Sequence, residues 1–61
     1  MDIFVASMLG KLDVVRAIVE AYPEVLKSKG PHGIPLIVHA EKGGEKALPV
    51  LDFLKANGLS K

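Results

Sequence analysis

Glycine and proline divide this chain into pieces too short for most folds. Gly10, Pro23, Gly30, Pro31, Gly33, Pro35, Gly43, Gly44, Pro49 and Gly58 punctuate 61 residues, and the longest stretch between them is residues 11–22. Helices of two or three turns fit these intervals. The longest run without a charge is about a dozen residues, too short to span a bilayer. A chain of this length is a single domain at most, spanning 1–61, and buries only about 60% of its unfolded surface. It has no cysteine, so neither a disulfide nor a thiolate metal site can staple it. Cohesion must come from packing, from self-association or from a longer repeat array.

The segments read as helices. Asp2 is placed to cap "IFVASML", accepting a bond from a free backbone N–H. After Gly10, Leu12, Val15, Ile18 and Val19 recur at three- and four-residue spacing, the signature of an amphipathic helix. Asp13 falls in its first turn, where a negative charge suits the helix dipole. Pro23 ends it near Tyr22, because the residue before proline is pushed out of the helical region. "PEVLKSKGPHG" reads as a connection, with Gly30-Pro31-His32-Gly33 as a turn. Pro35 suits a first helical position, where its missing N–H costs nothing. "PLIVHAEK" then reads as a short helix stopped at Gly43-Gly44. "IPLIV" alone has strand propensity, but the following "HAEK" favours helix. The last helix begins between Lys46 and Leu48, with Pro49 in its first turn. Val50, Leu51 and Leu54 form its stripe, and Gly58 ends it.

Short helix, turn, longer helix and loop thus occur twice. Gly10 and Gly43 lie 33 residues apart, and at that spacing "IFVASMLGK" overlies "LIVHAEKGG". Apolar residues coincide at the first three positions, and Ser7 overlies Ala40. The segment from Gly43 to Val50 is three residues longer than that from Gly10 to Val14. A period of 33 with two helices per unit is a repeat signature. Ala6, Ser7, Gly10, Val14, Val15, Ile18 and Val19 follow the ankyrin pattern A-A-x-x-G-x-x-x-V-V-x-x-L-L. Gly33, Pro35, Leu36, Ala40 and Gly43 follow the first half of the same pattern, and Val50, Leu51, Leu54 and Gly58 its second half. The chain therefore resembles an ankyrin-repeat protein. The resemblance implies an all-α fold, an ankyrin-like stack of two antiparallel helix pairs, with repeat one about residues 2–28 and repeat two about 29–61.

The resemblance also implies a non-catalytic protein–protein interaction module. In that family the turn tips and the outward residues of the short helices form the binding face. Here these include Lys29, Pro31, His32 and Ile34. A structural self-association module is the alternative reading. Two units are fewer than the roughly three usually needed for independent stability, and the last helix is apolar. Val50, Phe53 and Leu54 are therefore expected on an open face that pairs with another copy. Tyr22 and Phe53 are aromatic candidates for interface anchors.

Other chemistry finds little in the sequence. Eight basic and seven acidic residues are scattered, without the clustered positive footprint that nucleic acid requires. His32 and His39 are seven apart on different elements, unlike a helical zinc pair. His32 reads as a solvated turn residue, and His39 as a packed ring bonded to a backbone carbonyl. Nucleophilic catalysis needs a nucleophile, a base and an orienter. Ser7 occupies a packing position, while Ser28 and Ser60 fall in loop and tail. "GPHG" and "KGGEK" lack the spacing of a phosphate loop. No enzymatic activity, cofactor, nucleic acid or membrane is expected. With no leader pattern at Met1-Asp2, a cytoplasmic location is the default.

Overall fold

The computed structural model describes residues 1–60. Among them are four α-helices: α1 (Ile3–Met8), α2 (Leu12–Ala21), α3 (Leu36–Lys42) and α4 (Leu48–Ala56). Three 3-10 turns link them, at Pro23–Lys27, Pro31–Gly33 and Gly44–Ala47. No strand forms among the described residues. The strand propensity of "IPLIV" leaves one isolated antiparallel bridge between Lys29 and Pro35.

Local chemistry sets the helix ends. The Asp2 carboxylate accepts the Val5 N–H at 2.8 Å, capping α1 as expected. At the other end Gly10 takes a left-handed φ of 74°. The Lys11 N–H then reaches the Ala6 carbonyl at 2.9 Å, and the Gly10 N–H the Ser7 carbonyl at 3.3 Å. This doubly bonded termination satisfies carbonyls that a helix end leaves open. The same pattern closes α4, where Leu59 donates to Leu54 at 3.1 Å and Gly58 to Lys55 at 3.0 Å. Tyr22 ends α2 at φ −139°, ahead of Pro23. Pro35 stands one residue outside α3, at φ −60° and ψ 153°, rather than at its first helical position.

The segment after Pro23 is more than a connection. Its 3-10 turn sets Val25 and Leu26 against the core. The third 3-10 turn, Gly44–Ala47, takes up the extra length between Gly43 and Val50 and buries Ala47.

Helix α1 packs on α3 and α2, α3 on α4, and α2 on α4. Their shared core is Ile3, Ala6, Val15, Val19, Leu36, Ala40, Val50 and Leu54. The two glycines that marked the 33-residue period meet across the boundary between the halves. A Cβ on Gly10 would strike the Lys46 carbonyl, and one on Gly43 would strike the Met8 carbonyl. Each half lays backbone directly against the turn of the other.

This packing corrects the expected self-association face. Val50 and Leu54 are both 0% exposed, and Phe53 is half-buried beneath Arg16. The α4 stripe is consumed by the chain's own core because α4 closes over both α3 and α2. Of the large hydrophobic residues on α4, Leu48 is the one left half-exposed.

Candidate functional site

The loop from Lys29 to Ile34 is short and closed. Its ends are tied by the bridge between Lys29 and Pro35 and by the Gly30 N–H donating to the Ile34 carbonyl at 2.9 Å. Inside it, the Gly33 N–H reaches the Gly30 carbonyl at 3.0 Å. Lys29, Pro31, His32 and Gly33 are exposed, whereas Ile34 is half-buried. Of the four loop residues expected to face a partner, three are therefore open and Ile34 partly turns inward.

Gly30 fixes this loop to the helices. A Cβ there would lie 2.8 Å from His39 Nε2 and 2.8 Å from the Phe4 ring. The Phe4 and His39 rings themselves meet at 5.0 Å between centroids, tilted by 57°. Backbone, imidazole and phenyl ring thus join the loop to α3 and α1. His39 is 6% exposed, and neither ring nitrogen has a hydrogen-bond partner. The carbonyl bond expected for His39 is absent; its ring lies against the Phe4 ring and the Gly30 backbone. Ser7 is 0% exposed, and its hydroxyl is also unpartnered. Each occupies a small-residue packing position on the inward side of its helix.

His32 has an unusual backbone. Its φ is 60° and its ψ 21°, the left-handed region, in a residue with a Cβ. That conformation costs roughly 1–2 kcal/mol. Gly33 beside it is left-handed as well, at φ 70°; the sequence marked a turn here but gave no sign that His32 would share the conformation that suits glycine.

A second surface adjoins the loop's helices. On α1 and at its C-cap, Val5, Met8 and Leu9 are exposed at 44%, 37% and 44%. Their spacing of three and four places them on one helix face. The positions 33 further on are Val38, Glu41 and Lys42, the least buried part of α3. Both short helices therefore turn the same repeat positions outward. The α1 part is wholly apolar, and the α3 part carries both charges.

A shallow groove of about 450 Å³ runs along α2 past Leu12, Asp13, Arg16, Ala17 and Glu20. Arg16 leans over the Phe53 ring at 5.7 Å, the geometry of a cation–π contact. Tyr22 stands 60% exposed just beyond α2. No group of three or more His, Cys, Asp or Glu side chains able to hold a metal forms among the described residues. No helix among them is long and apolar enough to cross a membrane.

Comparison with family models, with curated proteins and with solved structures finds no match to this chain.

Proposed function

We propose that this chain is a small protein-interaction module, an ankyrin-like stack of two helix pairs that binds another protein rather than catalysing a reaction. The observation that carries the reading is His32. An exposed histidine is held left-handed at the tip of a loop that is closed by its own backbone bonds and seated on Phe4 and His39. Backbone cost of this kind concentrates at binding and catalytic sites, and a loop already fixed in shape loses little entropy on docking. Lys29, Pro31 and His32 supply the tip, and the outward residues of α1 and α3 extend the face beside it. Packing of α1 against α3, and backbone contact through Gly10 and Gly43, support the repeat reading with halves at about 2–28 and 29–61.

The test is site-specific photo-crosslinking in the cell that makes the protein. Replacing Lys29 by a benzophenone amino acid is expected to give one discrete adduct with another protein. The same group at Lys55, exposed on α4, is the control. Equal adduct patterns from the two positions, or none from position 29, would remove the loop from the binding face.

A second reading, self-association, is favoured by one observation: the exposed apolar residues of α1.

A further inference from the structure

We propose that Asn57 and Gly58 form a spontaneous deamidation site, held closed by the last turn of α4, whose products loosen the packing of Leu59. The site lies outside the Lys29–Ile34 loop and is independent of what that loop binds.

The dipeptide carries the chemistry. The Asn57 side chain places an electrophilic carbon, Cγ, where the next backbone nitrogen can close a five-membered ring on it. Gly58 has no side chain to crowd that nitrogen. In the reaction the Gly58 nitrogen gives up its proton and bonds to Asn57 Cγ. The Cγ–Nδ2 bond breaks, and Nδ2 departs with that proton as ammonia. Water then opens the cyclic imide. Attack at Cγ gives an aspartate in the normal backbone. Attack at the backbone carbonyl carbon gives isoaspartate, whose chain runs through Cβ and Cγ and is one atom longer. Water is the only co-reactant.

The structure supplies both access and a gate. Asn57 and Gly58 are exposed, and a Cβ on Gly58 would meet nothing within 4 Å. Water and base therefore reach the site. Both reacting groups are nonetheless engaged elsewhere. Asn57 Nδ2 donates to the Phe53 carbonyl at 2.9 Å, and the Gly58 N–H donates to the Lys55 carbonyl at 3.0 Å. The first bond turns the amide back along α4. The second holds the proton that the nucleophile must lose. Ring closure thus waits on opening of this turn, a local event far less costly than global unfolding.

The product alters the same turn. A carboxylate at position 57 cannot donate to the Phe53 carbonyl. It also puts negative charge at the negative end of α4. Two residues on, Leu59 packs against the core, and its N–H reaches the Leu54 carbonyl at 3.1 Å. An extra backbone atom at position 57 moves Leu59 out of this register. Deamidation therefore weakens the packing of Leu59 as the protein ages.

The test is direct because Asn57 is the chain's single asparagine and there is no glutamine. The mass gained when NH2 becomes OH reports this site alone. The full chain is incubated in mildly alkaline buffer, folded and in guanidinium chloride beyond its unfolding midpoint, and followed by mass spectrometry. Chromatography of the tryptic peptide 56–61 separates the aspartate and isoaspartate forms. The folded chain is expected to convert about tenfold more slowly than the unfolded one, since two hydrogen bonds must open first. Asn57→Gln, which would have to close a six-membered ring, should gain no mass over the same interval. Asn57→Asp should lower the denaturant midpoint. The converted protein should lower it further, because it alone contains the longer backbone. Unchanged mass in either state overturns the site. Equal rates in the two states overturn the gate. A midpoint for the converted protein no lower than that of Asn57→Asp overturns the link to Leu59.

Discussion

His39 shows how much a single residue can hide. Its position in the repeat made it a packed ring, and it is one. Its surroundings could not be read locally, because Phe4 comes from α1 and Gly30 from the preceding loop. Gly30 has an ordinary φ of −93°, so its glycine identity answers to space rather than to backbone conformation. That separates two effects of Gly30→Ala. Restricting the unfolded chain favours folding by about 0.4–1 kcal/mol. Forcing a methyl group to 2.8 Å from two rings opposes it by about 1–3 kcal/mol. The steric effect is the larger, so Gly30→Ala should lower the urea midpoint. His39→Ala removes one of the two rings that the methyl would strike. The double variant should therefore lose less stability than the two single losses added together, a coupling that a denaturation cycle measures. Additive losses would mean that the loop does not rest on the imidazole.

At the scale of elements, ends were legible and orientations were not. Asp2, Pro23 and Gly58 act through bonds and clashes within a few residues, so their effects could be read along the chain. The facing of α4 depends on the 3-10 turn Gly44–Ala47 and on the room left between α2 and α3. Val50 and Leu54 consequently looked like an open stripe and are core. The open stripe belongs instead to α1, whose short apolar segment gave no sign of which side its neighbours would leave bare. The two repeat turns offer a comparison. Gly10 and Gly44 both have left-handed φ, 74° and 71°. Around Gly44 an added Cβ meets nothing within 4 Å, whereas at Gly10 it meets the Lys46 carbonyl. Gly44→Ala should therefore cost only the left-handed penalty of about 1–2 kcal/mol. Gly10→Ala should cost that and more, because backbone on the opposing turn must move. Thermal or urea unfolding of the two variants separates strain from close approach. Equal losses would show that the backbone contact across the repeat boundary contributes nothing measurable.

For the whole molecule the question is whether two helix pairs suffice. The repeat reading says that a unit cannot bury its apolar face alone and that about three units are usually needed. The surface of the folded chain answers differently. Its accessible area is 3860 Å², close to the roughly 3,800 Å² expected of a folded monomer of its mass. Its radius of gyration is 9.9 Å, against about 10.5 Å for an isolated domain of this length. The shortage is made good by elements outside the simple repeat: Val25 and Leu26 from the first 3-10 turn, Ala47 from the third, and Leu59 folded back after α4. These residues add to what the four helices bury. Folding should therefore be a property of one chain. Dilution tests this. Across a hundredfold range of concentration, helicity should stay constant. If helicity fell on dilution, the single chain would not bury enough to fold, and the exposed apolar surface on α1 would belong to the core of an assembly.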